Sequence, residues 1–169
     1  MDEDINCKHE EIHNGHRIIY YLKFHRLDLI RRTFFRHASK TGCRVTDTEW
    51  QMALKCEREA ENDFYTYSVK IKRLDESHRG VKGSVAMHFF AVEGVPVYPP
   101  ILSVQEKMAS KDELEAKLND IDSSDLREMV FIRIVVKIER CHIGADMGTD
   151  WRCASKNEVD EKSVNLSKL

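Results

Sequence analysis

No stretch of this sequence approaches the roughly 18 consecutive apolar residues that a membrane-spanning helix needs, so nothing in it reads as a transmembrane segment. Net charge is nearly absent too. Lys and Arg number 27 against 29 Asp and Glu, giving -2, so no global field favours nucleic acid or an anionic membrane. Only three prolines occur, all between Glu93 and Val104, which marks that segment as a loop or an edge strand. The sequence has no G-x-S-x-G, G-x-x-x-x-G-K-[ST], G-x-G-x-x-G or H-E-x-x-H. The nucleophile elbow, phosphate loop, dinucleotide fingerprint and zinc-protease helix are therefore all missing. "DMGTD" lacks the acid that closes a calcium loop. The opening "MDEDINCKHEE" is acidic with no apolar core, which argues against a secretory signal. Five cysteines (Cys7, Cys43, Cys56, Cys141, Cys153) are odd in number and contain no C-x2-C pair. Reduced thiols in a nuclear or cytoplasmic protein are expected, with no metal, cofactor or catalytic residue.

What the chain does have is enough length for one domain with a sizeable core, at 169 residues, 41% apolar and 33% charged. Its charge is uneven. Residues 16–42 carry seven basic side chains against Asp28, net +6; residues 105–129 carry eight acids and four bases, net -4.

The recurring signal is period two. Ile18, Tyr20, Leu22 and Phe24 alternate in "RIIYYLKF"; Trp50, Met52, Leu54 and Cys56 in "EWQMALKC"; Tyr65, Tyr67, Val69 and Ile71 in "FYTYSVKI". Val85, Met87, Phe89 and Ala91 alternate in "SVAMHFFA", and Val130, Ile132, Ile134, Val136 and Ile138 in "MVFIRIVVKIE". A strand with one buried face produces this alternation. The Trp50 segment is rich in helix formers, but a helix would set Met52 and Cys56 opposite Trp50 and Leu54. Strand is the better reading, with Trp50 in a core. One short helix is expected near 110–119, from the capping box at Ser110–Glu113 and the Leu114/Leu118 stripe. Residues 1–16 read as a charged flexible tail, 17–140 as the domain, and 141–169 as a linker or tail.

Some clusters carry possible chemistry. Cys7, His9, His13 and His16 lie close together, as do Cys141, His142 and Cys153, but neither group has zinc-ligand spacing. Cys43 reads as a loop residue beside Gly42, and Cys56 fits a buried inert thiol. "RLDLIRRTFFRHASK" interleaves Arg with Phe34 and Phe35, a mix that can stack on bases and contact phosphate. The terminal S-K-L matches a peroxisomal address.

The order of segments resembles the MATH (meprin and TRAF homology) family, as found in speckle-type POZ proteins. Trp50-Gln51-Met52 is similar to the family's W-x-[LIM] strand opening. "DFYTYSVKI", "VKGSVAMHFFAVEG" and "DLREMVFIRIVVKIE" are similar to its later strands, and Met108–Leu118 to its short helix. The family's W-G-F-x-x-F-I signature is absent; "LSVQEKMA" stands in its place. "SVNLSKL" is similar to the entry into a following BTB domain, in which case S-K-L is accidental. The resemblance implies an all-β antiparallel sandwich of about seven or eight strands. It also implies a non-enzymatic domain that recruits a protein partner through an extended segment. A cullin ubiquitin ligase would be engaged through a BTB domain outside this chain, and homo-oligomers would form through the full-length protein. Strand alignment places Phe64 and Ser68 at outward positions and Val85 and Met87 at the neighbouring ones, with Gln105 and Lys107 standing in place of the signature and Tyr98 completing the partner surface. The alternatives are a nucleic-acid-associated module using the basic region 16–42, and a small hydrolase on an unfamiliar scaffold.

Overall fold

The computed structural model describes residues 4–23, 32–59, 63–142 and 162–165. Among these residues ten strands form two antiparallel sheets, with one short helix beside them. The larger sheet runs β10 (Lys162–Asn165), β1 (Asp4–Ile12), β2 (Gly15–Lys23), β9 (Met129–Glu139), β6 (Val81–Ala91) and β7 (Ile101–Met108). The smaller runs β3 (Arg32–Lys40), β4 (Glu49–Arg58), β5 (Phe64–Arg73) and β8 (Glu113–Asp122). The fold is an all-β sandwich. No helix among the described residues is long and apolar enough to cross a membrane.

The alternating residues converge on one core. Ile18, Tyr20 and Leu22 of β2, Val85, Met87 and Phe89 of β6, and Ile132 to Ile138 of β9 meet Trp50 to Cys56 of β4 and Tyr65 to Ile71 of β5. Trp50 is buried, and its indole N–H donates to Thr48 Oγ1 at 2.8 Å, so its polar edge is satisfied inside. Tyr67 and Phe89 bridge the sheets edge to face, with centroids 5.5 Å apart. Phe24 and the Val130 side chain lie outside the description.

Three expectations are corrected. Residues 113–122 form strand β8, not a helix. Leu114, Ala116 and Leu118 alternate toward the core between charged neighbours, and period two wins over helix propensity. The capping-box residues make a turn instead, with Lys111 at φ 70 and Ala109 N–H bonded to Asp112. The helix, α1, comes later at Ser123–Glu128, capped by Asp122, whose carboxylate accepts from Ser124 N–H. Second, residues 4–16 are not a tail: β1 pairs with β2 along its length. Asn6 and Glu11 are exposed, Lys8, His9 and Glu10 half-buried, and Ile5 and Cys7 reach the core. Third, Phe35 of the basic stretch is buried rather than offered for base stacking, and Arg32–Lys40 is strand β3. Residues 24–31 and the Phe34 side chain lie outside the described residues, as does most of 141–169.

The proline segment behaves as its composition dictates. Pro96 makes a single bridge to Phe90, and the chain then enters β7, an edge strand.

Candidate functional site

Two places in the fold gather chemistry. The first lies at one end of the sandwich. Gly15 opens β2 where a Cβ would meet Ile138 O at 1.9 Å, so only glycine lets β2 and β9 approach so closely there. That approach brings His16 beside the chain leaving β9. Arg140 then adopts a left-handed conformation, φ 64, and its N–H bonds to Asn14 O at 2.8 Å. The turn delivers Cys141 and His142. From the other sheet, Gly42 (φ 63) turns the β3–β4 loop, held by Thr41 N–H to Thr48 O at 2.9 Å and Gly42 N–H to Asp47 Oδ1 at 2.9 Å. This loop delivers Cys43.

His16, Cys43, Cys141 and His142 therefore meet, with their ligand atoms all within 4.8 Å of one another. The first three are buried and His142 is half-buried. His16 Nε2 and His142 Nε2 lie 3.3 Å apart, and His16 Nδ1 lies 3.1 Å from His9 Nε2. Glu11 stands at the rim, 3.9 Å from His142 Nε2. The Cys43 thiol is held well below its ordinary value. The hydrogen bond with Cys141 is the largest cause; burial opposes it, and bonds with His16, Thr46 and Val45 add to it. No disulfide joins the described cysteines. Such a set can hold a metal ion or act as thiolate and base. Its burial leaves a substrate little access to the sulfurs.

Sequence spacing could not show this group. It takes His16 from one cluster, Cys141 and His142 from the other, and adds Cys43 from the loop beside Gly42. The only local signals were Gly15 and Gly42, each directly before a member.

The second place is the outer face of the larger sheet. Arg17, Ile19 and Tyr21 of β2, Ser84, Ala86 and His88 of β6, Arg133, Val135 and Lys137 of β9, and Leu102 of β7 line an open hollow of about 500 Å³. Leu102 and Val104 are 63% and 45% exposed. Arg17 is paired with Glu10, and Arg133 lies over the Phe90 ring at 5.2 Å. Burial and the nearby Arg133 charge lower the His88 pKa. With Glu10 against Arg17, Arg133 and Lys137, the hollow is basic and apolar together. β7 is the outer strand, and among the described residues no strand pairs with its far edge.

The expected partner residues do not form one surface. Val85 and Met87 point into the core with no exposure, because the outward register of β6 belongs to Ser84, Ala86 and His88. Phe64 and Ser68 lie on β5, in the other sheet. Tyr98 caps the core: its ring meets Phe89 at 6.0 Å and its hydroxyl bonds to Asp125. Gln105 is turned back on Lys107 O and Asp112 at 3.0 and 3.2 Å. Lys107 is exposed and lies against Gly80. On β6 the outward positions, Ser84, Ala86 and His88, are one residue out of register with Val85 and Met87; Arg133 of β9 and Leu102 of β7 share that face.

No family model and no curated protein matches this chain.

Proposed function

We propose that this chain is a non-enzymatic protein-interaction domain that takes an extended partner segment on the outer face of the larger sheet, along the edge of β7. The observation that carries this reading is the pairing of an exposed apolar strip, Leu102 and Val104, with a strand edge that no other strand pairs among the described residues, beside a basic hollow. An added strand satisfies its main-chain groups on such an edge, and its outward side chains lie beside Leu102 and Val104, at the border of the hollow. Arg133 and Lys137 favour acidic residues at those positions. The MATH resemblance points to the same class of function. It adds, on its own, recruitment to a cullin ubiquitin ligase through a BTB domain beyond this chain.

The test is selection of displayed random peptides on the intact chain, with Leu102→Glu and Arg133→Glu as counter-selections. Extended sequences alternating acidic and apolar residues are expected, and both variants should lose them. Selected peptides that bind both variants as well as the parent would rule the surface out.

A further inference from the structure

We propose that His16, Cys43, Cys141 and His142 bind one zinc ion, which fastens the two sheets together at this end of the sandwich. Two thiolates and two imidazoles are a donor set that structural zinc takes, four-coordinate and closed. The spacing suits it. Zinc–nitrogen bonds of about 2.0–2.1 Å set tetrahedral nitrogens about 3.3–3.4 Å apart, and His16 Nε2 and His142 Nε2 are 3.3 Å apart. All four ligand atoms fall within 4.8 Å of one another.

Charge and hydrogen bonding agree with this. Two thiolates balance a divalent cation, so a buried site carries no net charge, whereas buried thiolates without a cation would be costly to desolvate. Zinc gives both Nε2 lone pairs a common partner. His16 Nδ1 is then the protonated nitrogen and donates to His9 Nε2 at 3.1 Å. A ligating histidine oriented by such a bond is the usual arrangement around zinc. His9 is a positioning residue here.

The backbone is shaped for the purpose. Gly15, Gly42 and Arg140 each directly precede a ligand, and Gly42 and Arg140 have positive φ. A left-handed non-glycine residue is strained and persists where its surroundings demand it. Cys43 and Cys141 are 98 residues apart in sequence and come from opposite sheets. A bond through the ion closes a long loop, which gives the metal a structural effect.

The experiment is metal analysis of the full chain, isolated reduced from zinc-supplemented cells and dialysed. One zinc per chain is expected. Replacement by cobalt(II) should give the intense visible bands of a tetrahedral ion and the near-ultraviolet charge transfer of cobalt–thiolate bonds. Cys43→Ser should remove part of the charge-transfer band. His142→Gln, at the half-exposed ligand, should fold and bind zinc more weakly, while His13→Gln should bind like the parent. His9→Leu should weaken zinc by about 10–100-fold, and His9→Gln, which can still accept from His16, should restore it. The proposal is overturned if the reduced chain retains no zinc or if cobalt gives the weak spectrum of an octahedral oxygen site. It is equally overturned if Cys43→Ser and His142→Gln both bind like the parent, or if a Cys43–Cys141 disulfide is found in chain isolated from a reducing cytosol.

Discussion

Arg73 is a fully buried guanidinium at the end of β5. It forms a two-pronged pair with Asp75, both bonds at 2.9 Å, and donates to the carbonyls of Arg79 and Met108 at 2.6 and 2.7 Å. The side chain thereby ties β5 to the 74–80 loop and to the end of β7. Breaking a buried pair by removing one partner leaves the other charge stranded, so Arg73→Ala should cost about 3–5 kcal/mol in denaturant unfolding. Asp75 gives this pair a pH signature. Burial alone would raise its pKa; the bonds from Arg73 and the Glu49 and Ser77 amides outweigh that and leave it below its ordinary 3.8. A carboxyl with a lowered folded pKa stabilises above its unfolded pKa and loses that contribution as pH falls through the folded value. Stability should therefore decline below about pH 4, and Asp75→Asn should flatten that part of the profile. The core behaves more simply. Trp50→Ala should cost about 3–5 kcal/mol, since it removes a large, fully buried side chain from the core. Burial raises the Cys56 thiol to about 11, so Cys56 should resist alkylation in the folded chain. Alkylation of Cys56 as fast as that of the unfolded chain would contradict its placement.

Strands were legible wherever alternation ran unbroken, as in β4, β5, β6 and β9. Three residues of β8 were visible too, Leu114, Ala116 and Leu118, but the same spacing supplied a helical stripe at 114 and 118 and the capping box tipped the reading. The bulge opposite Tyr65 and Tyr67 and the positive φ of Asp120 interrupt its period before Ile121. β1 was hidden because an edge-proximal strand with one wet face can be almost wholly polar. Only Ile5 and Cys7 of its nine residues reach the core cluster. Register was the finer failure. Choosing Val85 and Met87 for the surface was a one-residue slip, and in a strand that exchanges core for solvent. At this scale the sharpest check is Gly15→Ala. Its Cβ would collide with the backbone of β9, so β2 and β9 must part. A loss of about 1–3 kcal/mol is expected by thermal unfolding, together with weaker zinc binding at His16. A neutral substitution would mean that the two strands do not approach as described.

The whole molecule is a sandwich with one end gathered by His16, Cys43, Cys141 and His142, and with one broad face open beside β7. Neither feature exists in a contiguous stretch of sequence. The first joins three chain segments, and the second joins the outward residues of five strands. Its charge asymmetry did carry through in part: Arg17 of the basic 16–42 segment reaches the hollow, while the acidic 105–129 segment makes the end of β7, β8 and α1. Because basic side chains line the hollow, peptide affinity should fall as ionic strength rises, and by less once Arg133 or Lys137 is neutralised. The most direct measurement of the central claim is residue-resolved amide exchange of the chain with and without a selected acidic peptide. Slowed exchange is expected at alternate amides of Ile101–Met108, those facing away from β6, with little change along β3. Protection confined to β3 or to the Phe64–Ser68 face, with β7 unchanged, would contradict the account.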